Sequence, residues 1–317
     1  PKMEVAPALR HTQFDQAKGP AKPMDTAATV FDRYEAVRHR LPSASPPAST
    51  SQIASLHDIA AHADAFVFDA YGVLNIGEAA IPGAAQRLRE LREIGCQIRI
   101  LSNAASYTHT GAVTKFQKLG MGVKDHEIIT SRDATLAHLD ERLWGCIAAP
   151  QDNLSDITAP TRRLVDDPTS YDQVEGFLFL STEVWSLDRQ ALLESALLKR
   201  PRPVIIANAD LVAPREHGFS LEPGYFGHQL ADRGIQDVRF FGKPFPAVYE
   251  MVEASLPNLS PERIVMCGDT LHTDILGAAS RGWQTVLVEK DGLFSGQDTG
   301  AYLCQANLFP TWRLSRI

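Results

Sequence analysis

The sequence predicts an α/β protein: a Rossmann-like, doubly wound parallel sheet core with an inserted α/β cap domain. From Ala61 onward, short apolar runs typical of buried strands alternate with amphipathic helical segments. Repeated strand, helix and strand units imply right-handed crossovers and a mainly parallel sheet. The same alternation recurs between Ser131 and Gly234, within what would otherwise be one continuous pattern. That recurrence predicts a second, smaller unit inserted in the first.

The first half of the core is predicted from hydrophobic patterning. Ala65–Asp69 is an apolar, aromatic run typical of a strand buried on both faces. Ala84–Ile94 places Leu88 and Leu91 on one side and charged residues on the other, which indicates a helix that Gly95 ends. Next come a strand at Gln97–Leu101, a helix at Tyr107–Leu119 and a short strand at Glu127–Thr130.

The elements of the insert and of the second half of the core are predicted from the same hydrophobic patterning. In the insert we expect helices at Thr135–Leu143 and Arg189–Leu198 and strands at Cys146–Ala149, Gly176–Leu180 and Pro203–Ala207. The core resumes with strands at Val238–Phe241, Ile264–Cys267 and Thr285–Val288 and helices at Pro246–Ser255 and Asp274–Ser280. The predicted division is an N-terminal extension over 1–60, a core over 61–130 and 235–317, and a cap over 131–234.

The N-terminal extension has a different composition. Leu41–Ser51 is rich in proline, serine and alanine, which is typical of an extended or loosely packed connector. Before it, Val30, Tyr34 and Val37 have helical spacing. The extension has no basic start followed by an apolar core, so no secretory signal is predicted.

Composition narrows the function classes. With 317 residues the chain can bury a large core and form two domains. The net charge of −7, without a lysine or arginine run, argues against nucleic-acid binding. No apolar run approaches the roughly 18–20 residues of a membrane span. The scattered cysteines lack the spacing of a zinc site or redox pair, which fits a reducing compartment. These features predict a cytoplasmic enzyme.

Polar side chains follow the predicted strands in a particular order. They are Asp69 and Tyr71 after the first strand, Ser102 and Asn103 after the second, Lys243 before a helix, and Asp269 and Asp274 after Ile264–Cys267. Gly72 follows Tyr71 and lets the chain bend sharply. The first three motifs are each ordinary when alone, as a turn, a helix cap or a surface lysine. Asp269 with Asp274 is more specific, because polar groups five residues apart after a buried strand are costly unless something binds them. In open parallel sheets, however, ligands bind beyond the carboxyl ends of the strands near a switch in strand order. We therefore expect these side chains to meet at one rim.

The motifs resemble those of the haloacid-dehalogenase-like hydrolase superfamily, most of whose members are magnesium-dependent phosphatases. The resemblance covers about residues 60–300. An insertion after the third core strand corresponds to the type II cap of subfamily IIA, the branch of sugar-phosphate, 4-nitrophenyl-phosphate and pyridoxal-phosphate phosphatases. The segments Asn208-Ala-Asp-Leu-Val and Gly224-Tyr-Phe-Gly resemble that branch near the cap end. The implied partner is a small phosphorylated metabolite, and a homodimer through the cap is a further expectation.

The resemblance also implies roles for individual residues. Asp69 would be the nucleophile and form an aspartyl-phosphate, with Lys243 neutralising charge. Mg²⁺ prefers oxygen ligands, and these would come from Asp69, the Tyr71 carbonyl, Asp269 and Asp274. The implied substrate contacts are Ser102, Asn103, Gly72 and Asn208. His272 is predicted to be a bystander because magnesium favours oxygen over imidazole. His217, Glu222 and Tyr225 lie where this branch presents a cap loop to the active site.

Tyr71 departs from the phosphatase pattern, which has an aspartate two residues after the nucleophile. That acid protonates the leaving group and then activates water. A phenol titrates near pH 10 and is a poor base at neutral pH, and losing an acid/base costs about 10²–10⁴-fold. Asp-Ala-Tyr-Gly also resembles the first motif of 2-haloacid dehalogenases, which need neither proton nor metal. Two alternatives to a slow phosphatase therefore stay open: a dehalogenase-like hydrolase, and a catalytically impaired protein that binds a phosphometabolite.

Overall fold

The computed structural model describes residues 23–215 and 218–317. Its core is a seven-stranded sheet in which every pairing is parallel. In spatial order the strands are Ser51–Gln52, Trp312–Leu314, Gln284–Val288, Ile264–Gly268, Ala65–Phe68, Gln97–Ser102 and Ile128–Thr130. This order confirms the predicted fold class.

The strand order reverses next to the first core strand. Ala65–Phe68 is buried at all four positions, as expected for a central strand covered on both faces. From it the chain continues to Gln97–Ser102 on one side, whereas Ile264–Gly268 flanks it on the other. Asp69 and Asp269, which follow these two adjacent strands, therefore sit at the topological switch point, where open sheets form their binding crevice.

Most predicted core helices form with slightly different ends. The core helices are Ala84–Glu93, His109–Lys118, Pro246–Ser255, Leu276–Ser280 and Thr299–Ala306. The predicted helix at Asp274–Ser280 is correct only from Leu276, because Leu271–Ile275 forms a π-helical turn. The closing helix Thr299–Ala306 and the strand Trp312–Leu314 were not predicted.

The cap contains a second parallel sheet of five strands. Their spatial order is Val238–Phe240, Val204–Ile206, Gly176–Phe179, Trp144–Ile147 and Thr161–Arg163. Its helices are Pro168–Asp172, Leu187–Lys199 and Pro223–Asp232. Two further strands, Val212–Arg215 and Gly218–Leu221, pair with each other in antiparallel orientation. The insert is therefore an α/β unit, as predicted.

Two predictions in and near the cap are wrong. Val238–Phe241 was assigned to a core resuming at residue 235, but Val238–Phe240 pairs with Val204–Ile206 as the edge strand of the cap sheet. After helix Pro223–Asp232 the chain makes one more crossover beside the preceding cap strand, and Val238 and Phe240 pack on the cap's apolar residues. The helix predicted at Thr135–Leu143 instead covers Ser131–Leu136, because Thr130 caps its start by accepting from Asp133 N at 3.1 Å.

The described part of the N-terminal extension packs on the folded body through a helix and an edge strand. The segment between them, residues 41–50, is irregular and mostly exposed, as predicted for an extended connector. Helix Ala27–Val37 buries Val30, Phe31 and Tyr34 against both cap and core residues. Ser51–Gln52 adds an edge strand to the core sheet beside Trp312–Leu314. Residues 1–22 lie outside the described part of the chain.

Two general predictions concern membranes and cysteines. Within the described residues, every helix is too short or too polar to cross a bilayer. All four cysteines are free thiols, and Cys304 alone among them is exposed.

Candidate active site

Asp69 lies directly after strand Ala65–Phe68. Its backbone N–H donates to Cys267 O at 2.9 Å, which continues the pairing with the neighbouring strand by one residue. The side chain is half-buried, and Oδ1 lies 2.5 Å from the Lys243 ammonium. The strand end thus presents a carboxylate, already paired with a cation, to the rim of the sheet.

The chain turns sharply after Asp69 because Gly72 permits it. Gly72 has a φ of +77°, which favours glycine. A Cβ there would lie 2.5 Å from Gly292 Cα and 2.8 Å from Asp269 Oδ2. A Cβ on Gly292 would lie only 2.1 Å from the same oxygen. The two glycines let two loops close around the Asp269 carboxylate, so the structure gives Gly72 a role in shaping the site.

Three carboxylates converge at this rim. Oxygens of Asp69, Asp269 and Asp274 all lie within 4.8 Å of one another. Asp269 Oδ2 accepts from Leu293 N at 2.7 Å, and Asp274 Oδ2 accepts from Thr270 N at 3.1 Å. Burial and then repulsion from Asp69 and Asp274 raise the pKa of Asp269 well above its usual range. Burial raises the pKa of Asp274 to about 6 although Lys243 opposes the shift.

Lys243 offsets part of this negative charge. Burial alone would lower its pKa, but the carboxylates of Asp274 and Asp69 outweigh burial and raise it, so the ammonium stays charged. Its Nζ lies 2.8 Å from Asp274 Oδ1, so one ammonium is paired with two of the carboxylates, those of Asp69 and Asp274.

The donor set fits a hard divalent cation. One ammonium faces three carboxylates, and buried negative charge in excess of the neighbouring positive charge is costly unless a cation binds it. All three side chains offer oxygen, as Mg²⁺ prefers. His272 is outside this cluster. Its Nε2 lies 2.5 Å from Glu35 Oε1 instead.

Asn103 lines the cavity and also forms hydrogen bonds to the backbone of Lys243. Its Oδ1 accepts from Lys243 N at 2.7 Å, and its Nδ2 donates to Lys243 O at 3.0 Å. The same Nδ2 donates to Asp210 Oδ1 of the cap at 2.8 Å. Asn103 thereby joins the second motif, the lysine motif and the cap, which sequence spacing does not reveal.

The other predicted substrate contacts lie around one cavity. Ser102, Asn103 and Asn208 line a cavity of about 1280 Å³ between core and cap. Ser102 Oγ accepts from Ala104 N at 3.2 Å. Asn208 is tied within the cap, where its Nδ2 donates to Glu222 Oε2 at 3.2 Å and its Oδ1 accepts from Asp210 N at 2.9 Å. The structure therefore gathers the predicted residues at one place.

Of the loop residues predicted to face the site, one lines the cavity and another is buried in the cap. Glu222 lines the cavity, whereas Tyr225 is buried in the cap core and its hydroxyl accepts from Gln229 Nε2 at 3.1 Å. His217 lies outside the described residues.

Tyr71 has a cationic partner that the sequence did not indicate. Lys115 Nζ, on helix His109–Lys118, donates to the Tyr71 hydroxyl at 2.8 Å. Both residues line the cavity. An ammonium only donates, so it occupies the acceptor side of the phenol and leaves the phenolic proton available to another group.

Asp210 is a second cavity residue that sequence reasoning did not select. Burial raises its pKa to about 8, although Lys243 and the Asn103 amide favour its charged form. The signal was present, since Asp210 belongs to the quoted segment after strand Val204–Ile206. Its long-range partner Asn103 was not predictable from spacing.

Asp210→Asn should stabilise the protein in a pH-dependent way. Asp210 holds its proton in the folded state up to about pH 8. The unfolded chain releases that proton near pH 4, so wild-type stability falls as pH rises through this window. Asparagine still accepts from Asn103 and removes the effect. Denaturant titrations should show equal free energies of unfolding near pH 4 and a gain of about 1–3 kcal/mol at pH 8.

The exposed Glu141→Gln serves as the matched control and should not change the slope of stability against pH. If the free energies of unfolding of Asp210→Asn and wild type changed in parallel between pH 4 and 8, the raised pKa of Asp210 would be contradicted.

Comparisons with known families agree with this geometry. Residues 66–149 match the family described as haloacid dehalogenase-like hydrolase, and residues 240–309 match the HAD-hydrolase-like family. The two segments contain Asp69, Ser102, Asn103, Lys243, Asp269 and Asp274, which the structure brings to one rim. The chain is a haloacid-dehalogenase-like hydrolase. The matched segments flank the region between residues 150 and 239, which holds most of the cap.

Curated relatives of this hydrolase include a protein named as a phosphatase. Chronophin of Rattus norvegicus is 28% identical over 279 residues, covering 83% of this chain and 89% of the relative. Human glycerol-3-phosphate phosphatase is 28% identical over 265 residues, covering 72% and 79%. These relatives are consistent with subfamily IIA and support a phosphatase.

Solved structures share the fold of this hydrolase. A possible sugar phosphatase of the HAD superfamily from Cytophaga hutchinsonii has a TM-score of 0.75 and 24% identity, covering 84% of this chain and 98% of the other. The matched region includes nearly the whole of that chain, so the two chains share a fold.

Proposed function

We propose that this hydrolase cleaves a small phosphate monoester in a magnesium-dependent reaction through an aspartyl-phosphate at Asp69. The observation that carries the proposal is the trio of carboxylates around the Lys243 ammonium at the switch point of the sheet. The cavity above it is lined by core and cap residues and has room for a small metabolite. The phosphatase relatives support the same reaction class.

Each residue of the site has a separate role in the proposed reaction. The half-buried Asp69 carboxylate attacks phosphorus, and the bond from phosphorus to the leaving oxygen breaks. Lys243 and the hydroxyl of Ser102 bind phosphate oxygens and reduce the repulsion between two anions. Asp69, the Tyr71 carbonyl, Asp269 and Asp274 would hold Mg²⁺, which supplies charge neutralisation and orients the phosphoryl group when bound. Asn103 keeps Lys243 in place through its backbone.

Tyr71 determines which leaving groups react well. The phenol is in a position to donate a proton because Lys115 occupies its acceptor side. It is a weak base at neutral pH, so activation of water against the aspartyl-phosphate is the slow step. Aryl phosphates, whose leaving groups depart readily without a proton, should form the aspartyl-phosphate faster than alkyl phosphates and show a higher kcat/KM. The kcat values should be similar, because both substrates give the same slowly hydrolysed intermediate.

Tyr71→Asp should accelerate hydrolysis of a small aryl phosphate by up to about 10²-fold. The new carboxylate supplies the missing proton-transfer group two residues after the nucleophile. Tyr71→Asn is the matched control, since it has similar size but transfers no proton, and it should give no gain. A Tyr71→Asp rate equal to that of Tyr71→Asn would contradict the account of the slow step.

A dehalogenase-like hydrolase is the second candidate, favoured by the Asp-Ala-Tyr-Gly motif. Halide displacement needs no cation, whereas this site keeps two buried carboxylates beside the nucleophile that repel each other without one. Release of halide from a 2-haloacid in excess chelator would establish the second candidate. The absence of both turnover and a phosphoryl adduct, with retained binding of a phosphorylated ligand, would establish a binding protein. Self-association through the cap stays a prediction.

A further inference from the structure

Helix Ala27–Val37 lies before the first segment matched by the family and contacts the acidic loop of the core. The Tyr34 ring stacks on the His272 ring with centroids 4.9 Å apart and an interplanar angle of 3°. Glu35 Oε1 lies 2.5 Å from His272 Nε2. A carboxylate only accepts, so the ring N–H donates to it. His272 is almost fully buried, and it sits between Asp269 and Asp274 in the chain.

The same helix and the residues just after it bind the cap. Arg33 Nη2 and Arg40 Nη2 lie 2.7 Å from the two oxygens of Asp232, at the end of cap helix Pro223–Asp232. Arg40 Nη1 also donates to His228 O at 3.3 Å. One cap carboxylate is therefore held on both sides by arginines from the N-terminal extension.

Tyr34 links these two sets of contacts and reaches the cavity. Its hydroxyl accepts from Leu211 N at 3.2 Å, in the cap segment next to Asp210. Tyr34 itself lines the cavity together with Asp69, Asp210 and Asp269. A single helix thus contacts the cap helix, the cap loop, the acidic loop of the core and the space where the substrate would bind.

We propose that helix Ala27–Val37 is a third component of the active site, which restrains the cap on the core, with Tyr34 and Glu35 as positioning residues. Tyr34 fixes the cap segment at Leu211, and Glu35 fixes the loop that carries Asp269 and Asp274. The arginine pair on Asp232 prevents the cap from moving away. This role deepens the proposed function, since a restrained cap limits the size of the leaving group that the cavity accepts.

Amide hydrogen exchange on the whole 317-residue chain tests the restraint without relying on activity. In the double variant Arg33→Ala/Arg40→Ala, exchange in Asn208–Arg215 should quicken by about tenfold, while exchange in the core strand Gln97–Ser102 stays as in wild type. Asp32→Asn, an exposed carboxyl on the same helix, is the matched control and should change neither segment. Unchanged exchange in the cap segment, or uniformly faster exchange along the chain, would overturn the proposal.

The contact with the acidic loop has its own test. Glu35→Ala should quicken exchange in Leu271–Ile275, and Glu35→Gln should restore most of the protection because its amide oxygen still accepts from His272. Equal exchange in both variants would overturn the positioning role of Glu35.

Kinetics separate this proposal from the proposed function. With a small aryl phosphate, Arg33→Ala/Arg40→Ala should raise KM by about fivefold with a smaller change in kcat, because the variant leaves the reacting groups intact. A kcat loss at constant KM would overturn the restraint. If neither the wild type nor any variant hydrolyses a phosphate ester, the proposed function fails. The exchange results still decide whether the helix restrains the cap.

Discussion

Replacing Asp69 by asparagine is expected to lower hydrolysis of an aryl phosphate by at least about 10³-fold, because it removes the nucleophile of a covalent mechanism. An amide of the same shape neither attacks phosphorus at a useful rate nor carries the negative charge that would hold Mg²⁺. The measurement is steady-state release of phosphate with saturating Mg²⁺. The fold should survive, since Lys243 keeps its ion pair with Asp274.

The matched control is Asp64→Asn, which removes a carboxylate just before the same strand. Asp64 forms an ion pair with Arg263 at 2.7 Å and lies at the opposite end of the strand from the site. We expect its rate to remain close to that of wild type. A rate for Asp69→Asn within about tenfold of wild type would contradict the role of Asp69.

Asp269→Asn is expected to weaken Mg²⁺ binding and to lower the hydrolysis rate by roughly 10²–10⁴-fold. Burial and the neighbouring carboxylates raise the pKa of Asp269, so its charge is unfavourable in the protein without a cation. Removing that charge should therefore leave stability unchanged or slightly increased in chelator. Calorimetric titration with MgCl₂, hydrolysis rates and denaturant unfolding measure the three effects.

Asp291→Asn is a suitable control, because Asp291 pairs with Arg316 at 2.6 Å beside Gly292 and outside the carboxylate trio. It should retain wild-type affinity for Mg²⁺. Full activity of Asp269→Asn, or of wild type in excess chelator, would contradict the metal role.

The positions of the main motifs were predictable because parallel strands end at a common edge. Asp69 and Asp269 follow apolar runs long enough to identify buried strands, and the switch-point rule then places their side chains together. Val238–Phe240 was not predictable in the same way. A strand of only three residues, Val-Arg-Phe, suits either sheet, and only its pairing with Val204–Ile206 decides the question.

Long-range contacts explain what sequence analysis missed in the site. Lys115, Asp210 and Tyr34 reach the cavity from a core helix, a cap segment and the N-terminal helix. Tyr34 was recognised only as a residue with helical spacing, since no local pattern relates it to Leu211 or His272. Tertiary packing alone brings these residues to the cavity.

The most direct test of the central claim is to look for the covalent intermediate. Wild-type protein is mixed with an aryl phosphate and Mg²⁺, quenched in acid within the first turnovers, digested and analysed by mass spectrometry. We predict a phosphoryl group on the peptide that contains Asp69, absent from Asp69→Asn and from samples in chelator, because slow activation of water lets the adduct accumulate. Release of phosphate without any adduct, or an adduct on a different residue, would contradict the account.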